Sequence, residues 1–360
     1  MREPRRILVV KLSDIGDVLT ATPALRAIRE TFPTARVDAL VPPNSAPVLE
    51  STSLINNVLI FDKFRYDRIT SALRPMSIDT AWRLGLDLRR QRYDWVVILH
   101  HLSTLWGTLK YAALAWSCGA PIRLGLDNGR GWFLTHRIAD GGFGARHEVE
   151  YWLDVVSVLG AHTDNTHLEI TFGPDDVHFA RTALKALPGD GPLAVIHTGS
   201  GGYSLARRWD AARFAAVGDE LAIHDGARIV LVGTALDNVD DVAAQMETAA
   251  LNLCGRTTVK QLAAVLARCN LFIGVDSGVM HLACAVGVPV VAIFGPSNER
   301  AWGPWPRDEK HIVVRASLPC APCSYVGHGV GHREGCLERA CMDAVTTEMV
   351  LSAARGLLYG

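Results

Sequence analysis

The sequence predicts an α/β protein of two doubly wound, Rossmann-like domains, and three observations carry that expectation. Short apolar runs alternate with helical patterns along the chain, the order that builds a parallel, helix-covered sheet. The alternation pauses at a Pro/Gly-rich connector, residues 171–192, and then restarts. At 360 residues there is material for two cores of ordinary size. The expected division is 1–180 and 190–345, with a closing helix over 346–360 and the two domains facing each other across a cleft.

In the first half, strands are expected at 7–10, 37–41, 58–61 and 95–99, and helices near 17–31, 80–92, 105–118 and 148–159. In the second half, strands are expected at 193–197, 228–232, 271–275 and 288–294, and helices near 211–224, 237–249, 259–267 and 278–286. Runs such as LFIGV and VPVVAIF are apolar throughout, as strands covered on both faces require.

Hydrophobic residues at 49%, charged residues at 20% and a net charge of −1 describe a soluble globular protein. No apolar run is long enough to span a bilayer, and the amino terminus lacks a secretory core and cleavage site, so the expected location is the cytoplasm. No Lys/Arg block with interleaved aromatics is present, so no nucleic-acid partner is expected. Arg2, Arg5, Arg6 and Lys11 leave open a peripheral contact with an anionic membrane surface, although simple solvation explains them as well.

The most informative stretch is LFIGVDSGVMHLACAVGVPVVAIFGP, residues 271–296, which reads as strand, polar turn, short helix and strand. Asp276, Ser277 and Gly278 then lie at a strand's carboxyl end and a helix's amino end, where unpaired N–H groups and the helix dipole favour an anion such as a diphosphate. His281, one turn on, can face the same anion. The plainer alternative is an Asp/Ser N-cap and a hydrogen-bonded helix histidine.

The amino terminus opens with a strand, a loop over 11–16 and a helix. That loop holds glycine only at Gly16, so it lacks the G-x-G-x-x-G spacing of a dinucleotide site, and a nicotinamide or flavin enzyme is disfavoured. It offers Asp17 beside Gly16, with Asp14 and Lys11 close by, an arrangement suited to a general base or simply to a helix start. In the second half, HTGSGGYSLARRWD can wrap phosphates with backbone N–H groups while an arginine neutralises charge; it is equally a surface loop with a solvated arginine pair. In VGTALDNVDD, Asp237 can accept from ribose hydroxyls or start a helix, and FGPSNERAWGPW can wall a cleft or form a packed turn.

Together ILVVKLSDIGDVLTATPALRAIRETFPTARV, RHEVEYWLDVVSVLG, VIHTGSGG with ARRWD, LVGTALD and DSGVMHLACAVGVPVVAIFGPSNERAWGPW resemble glycosyltransferase family nine, the ADP-heptose:lipopolysaccharide heptosyltransferases, in order and over nearly the whole chain. The resemblance implies a GT-B architecture, with the acceptor on the first domain and the nucleotide sugar on the second, and a metal-independent inverting transfer. It implies Asp17 as the base that deprotonates the acceptor hydroxyl. Thr198 and Ser200 fall in its phosphate loop, Asp276, Ser277, Gly278 and His281 beside the diphosphate and sugar, Arg207 (or its neighbour Arg208) on the phosphates, and Asp237 at the ribose. Lys11 and Arg123 are its candidates for an anionic acceptor. The implied partners are a nucleotide-sugar donor and a glycan or lipid-linked acceptor, and no cofactor is needed for catalysis.

Cys118, Cys254, Cys269 and Cys284 sit in apolar contexts and read as buried small hydrophobes. Cys320, Cys323, Cys336 and Cys341, with His328 and His332 between them, have a spacing open to a structural zinc site or to reduced, partly packed thiols. Three functions are expected to compete: an inverting heptosyltransferase, a relative using another nucleotide sugar and acceptor, and a catalytically silent nucleotide-sugar-binding scaffold.

Overall fold

The computed structural model describes residues 3–360 apart from 68, 73, 202, 203 and 333. The chain forms two compact units, one of residues 1–142 and 148–166, the other of 143–147 and 167–360. In the first, β1 (Arg6–Val10), β2 (Arg36–Val41), β3 (Asn57–Ile60), β4 (Trp95–Ile98), β5 (Ile122–Asp127) and β6 (His136–Ala139) form one parallel sheet in the order β3-β2-β1-β4-β5-β6. In the second, β7 (Leu193–His197), β8 (Arg228–Val232), β9 (Ala250–Asn252), β10 (Leu271–Val275), β11 (Val290–Ile293) and β12 (His311–Val314) form another, in the order β12-β11-β10-β7-β8-β9. Numbered within its own unit, each sheet has the doubly wound order 3-2-1-4-5-6. The order reverses between β1 and β4 and between β7 and β10, and open α/β sheets bind ligands beyond the carboxyl ends of the strands at such reversals.

Every residue of β4, β7 and β10 is buried, as expected for central parallel strands. Pattern reading omits β5, β6, β9 and β12 of the two parallel sheets, which are short or polar: IRLGLD carries Arg123 and Asp127, and HRIA alternates half-buried and exposed positions. It also omits the antiparallel pair Ser324–Val326 and Gly329–Gly331. The helix expected over 17–31 is two helices, α1 (Ile15–Leu19) and α2 (Thr22–Thr31). Pro23 lies in the first turn of α2, where its missing N–H leaves no helical bond unmade but cannot continue a helix from before.

The first core packs Leu8, Val10, Leu40, Val96 and Ile98 of the sheet against Leu88 of α3 (Pro75–Gln91) and Ala112 and Ala115 of α4 (Leu105–Cys118). On the other face, α5 (Glu148–Ser157) packs on α2 and buries Trp152 fully. In the second unit α6 (Pro174–Leu184), part of which was expected with the first domain, packs on α8 (Val259–Leu266). Phe214 of α7 (Ala211–Asp225), Ile196, Ile273 and Val291 share one core with Leu351 and Ala354 of α10 (Thr347–Tyr359). α10 is held further by Arg355, which places Nη2 2.9 Å and Nε 3.0 Å from one Asp225 oxygen.

Of the amino-terminal basic group, Lys11 is buried and Arg6 donates from Nη1 to the Gln91 carbonyl at 2.7 Å, while Arg5 is exposed and Arg2 lies outside the described residues. Among the described residues no helix is long and apolar enough to cross a membrane.

Candidate active site

At the first reversal, β1 delivers Lys11 and the start of α1 delivers Asp17. Lys11 Nζ is 3.8 Å from Asp17 Oδ1 and 3.9 Å from the centre of the Trp152 ring. The lysine side chain is 4% exposed and the aspartate 32%, so the carboxylate is the member of the pair that meets solvent. Burial pulls the Lys11 pKa down, an effect the Asp17 and Glu148 charges oppose and Lys63 reinforces. His101 follows β4 and bridges two buried carboxylates, with Nδ1 3.0 Å from Asp140 Oδ2 and Nε2 3.1 Å from Glu148 Oε1. Burial opposes charging of that ring, but Glu148 and Asp140 together outweigh it and lift its pKa to about 9. Asp140 and Glu148 therefore neutralise an imidazolium and Lys11 beneath the site, while Asp17 alone of the three carboxylates is open to a ligand.

At the second reversal, β7 ends at His197 and β10 at Val275. Asp237 is buried; its Oδ1 accepts from Gly201 N at 2.7 Å and its Oδ2 from Thr234 N at 2.7 Å and Thr234 Oγ1 at 2.8 Å. His197 Nε2 lies 3.7 Å from the same carboxylate and its Nδ1 3.2 Å from Ser277 Oγ. Burial would raise the Asp237 pKa, but His197 and Thr234 hold it well below the usual carboxylate range. Thr198 Oγ1 donates to the Asp237 carbonyl at 2.5 Å, and Ser200 Oγ to the Ser204 carbonyl at 2.6 Å. A Cβ on Gly199 would fall 2.1 Å from Asp237 Oδ1, so only glycine lets the loop approach this closely.

Ser277 caps α9 (Gly278–Ala285) through Oγ, which accepts from Met280 N at 3.4 Å. Beside that helix end, Arg207 Nη1 is 3.0 Å from Asp276 Oδ2. Arg208 points elsewhere, donating to Asn238 Oδ1 at 3.0 Å and to the Leu236 carbonyl. His281 is buried on the first turn of α9. His147 itself is stacked on Trp305 at 4.6 Å, donates from Nε2 to the Gly303 carbonyl at 3.0 Å, and is driven by burial to a pKa of about 3.

The profile of glycosyltransferase family 9 (heptosyltransferase) matches residues 81–328. The chain belongs to that family. Lipopolysaccharide heptosyltransferase 3 of Escherichia coli K12 is 28% identical over 305 residues, covering 81% of this chain and 82% of that protein. The crystal structure of a family 9 glycosyl transferase from Veillonella parvula matches at TM-score 0.77 and 26% identity, over 98% of this chain and 97% of that one. The structure of the E. coli ADP-heptose LPS heptosyltransferase II matches at TM-score 0.74 and 22% identity, over 98% of both chains. This family 9 chain is thus a nucleotide-sugar glycosyltransferase with the GT-B class of fold, as its motifs imply.

The family 9 sequence motifs left several placements undecided. Arg123 is not brought to Lys11 and Asp17: it enters β5 early, and its guanidinium donates to the carbonyls of Phe133 at 2.8 Å and Ala120 at 3.0 Å. The zinc alternative for the Cys320, Cys323, Cys336 and Cys341 cluster is not supported, because among the described residues no group of three or more His, Cys, Asp or Glu side chains can hold a metal. All eight cysteines are free thiols; Cys320 and Cys336 are exposed while Cys341 is buried beside Met342 against Gly295. Pattern reading also missed His101, Asp140 and His197. The signal available for them was positional, since His101 and His197 are the residues at or just past the ends of the central strands β4 and β7.

Proposed function

We propose that this enzyme transfers a heptose from ADP-heptose to a hydroxyl of a lipopolysaccharide-core-type acceptor with inversion, Asp17 acting as general base. The observation that carries this reading is the division of labour at the first reversal, where Asp140 and Glu148 are sequestered by His101 and Asp17 is partly exposed beside a buried lysine. Lys11 lies 3.8 Å from the Asp17 carboxylate and holds it in place beside the acceptor hydroxyl it is to deprotonate. The acceptor oxygen attacks the anomeric carbon, its proton passes to Asp17, and the bond to the diphosphate breaks. The charge gathered on the leaving ADP is met by the Arg207 guanidinium, by the N–H groups that open α9 and by His281. Asp276 pairs with Arg207 at 3.0 Å, so a diphosphate reaching the guanidinium exchanges one anion for another. Thr198, Ser200 and Asp237 act by shaping the loop that receives the phosphates and ribose. The relatives' names supply the heptose and ADP, and the expected setting is the cytoplasmic face of the inner membrane.

The test is calorimetry of ADP-heptose, UDP-sugars and GDP-sugars with wild type and Asp17→Ala, beside a product assay. Selective ADP-heptose binding that survives Asp17→Ala while transfer is lost supports the proposal. Preference for another nucleotide sugar removes the heptose assignment, and binding without turnover by the wild type assigns a scaffold.

A further inference from the structure

The first unit contains a cavity of about 770 Å³ bounded by α3, α4 and the turn Lys63–Tyr66. Its size is that of a small-molecule site, and the mechanism above leaves it without a role. Ile78, Ala81, Trp82, Gly85 and Leu86 of α3 line it, three or four residues apart along one helix face. From α4 come Trp106, Tyr111, Ala113 and Leu114. A helix normally turns such a stripe onto a core. Here Trp82 remains 68% exposed and Ile78 53% exposed, so the apolar lining runs out to the surface. The cationic side chains Lys63, Arg89 and Lys110 also line it, against one carboxylate, Asp67, in a chain whose net charge is −1.

The inner end of the cavity lies at the switch point. Leu12, which adjoins Lys11, and His100, which adjoins His101, both form its wall. Tyr111 lines it and feels the Asp17 charge, while Lys63 acts on both Lys11 and His100. We propose that this cavity takes the alkyl or acyl chain of an anionic amphiphilic acceptor, whose anionic group meets Lys63 and whose hydroxyl is thereby brought to Asp17. An apolar wall offers little to a sugar or a phosphate alone, whereas a chain removes that wall from water and the basic residues select an amphiphile of negative charge. The inference deepens the glycosyltransferase reading and rests on it for the identity of the acceptor.

Binding of n-alkyl phosphates of six to twelve carbons, each below its micelle concentration, is measured by calorimetry on the full chain, with inorganic phosphate as the zero-length probe. Affinity is expected to rise about three- to fourfold per methylene until the cavity is filled. Ala113→Trp and, as an independent second variant, Ala81→Trp fill the cavity from exposed helix positions and are expected to abolish that chain-length dependence. In the transfer assay the wild type is expected to show a higher kcat/KM for an acylated acceptor than for its deacylated form, and either variant to bring the ratio toward one. Affinity independent of chain length, or chain-length dependence unchanged in both variants, overturns the cavity assignment in favour of adsorption on the exposed apolar surface. Transfer indifferent to acylation overturns the acceptor assignment while leaving the proposed activity intact. Chain-dependent binding without transfer to any acceptor supports the cavity and refutes the activity.

Discussion

Replacing His101 with glutamine tests the buried charge network that leaves Asp17 as the open carboxylate. In the folded protein the ring sits between Asp140 and Glu148, and its pKa moves from the ordinary 6.5 to about 9. At 1.36 kcal/mol per pH unit this linkage is worth about 3 kcal/mol. Because the folded value is the raised one, the contribution is complete below about pH 6.5 and is lost as pH climbs through about 9. His101→Gln leaves two buried carboxylates without their cation, a change that typically costs roughly 3–5 kcal/mol at low pH. Urea unfolding of wild type and variant is compared at pH 6, 8 and 10, so that other titrating groups cancel in the difference. The gap between the two proteins should narrow by about 3 kcal/mol across that range. A gap that stays constant with pH, or a His101 resonance titrating at an ordinary histidine value, refutes the reasoning.

Three further outcomes follow from the second unit. Arg207→Ala should weaken nucleoside-diphosphate-sugar binding roughly ten- to hundredfold by calorimetry, since it removes a charged hydrogen-bond donor; a change below twofold places the phosphates elsewhere. Gly199→Ala should cost about 1–3 kcal/mol by overpacking against Asp237 and lower both thermal stability and donor affinity, and a thermal midpoint equal to wild type contradicts that close approach. Thiol titration of the native protein should modify Cys320 and Cys336 ahead of Cys341, at rates unaffected by a zinc chelator; acceleration by the chelator restores the metal reading.

The central strands, the loops that follow them and the helix caps were legible in the sequence because their signals are local. LFIGV needs no partner to read as a buried strand, and Asp-Ser-Gly before a helical run marks a helix start wherever it packs. Short strands such as ALN and HIVV were not legible, since they are defined by neighbours that pair with them rather than by their own pattern. The same limit governs the site.

The sequence by itself determined the family, the doubly wound class and the positions of Asp17, Asp276 and His281 on strand ends and helix starts, with Arg207 and Arg208 in the loop after β7. Only the tertiary structure decided that His101 lies between Asp140 and Glu148, 39 and 47 residues away, and that Asp237 organises the loop of Gly201 from 36 residues away. It also decided that Arg207 rather than Arg208 faces Asp276, that Arg123 is tied to backbone carbonyls, and that among the described residues the cysteines gather no metal site. The physical reason is the range of each effect. Strand and cap preferences act over a few residues, whereas charge pairing and desolvation depend on distances that exist only once each parallel sheet has brought remote loops to its own carboxyl edge.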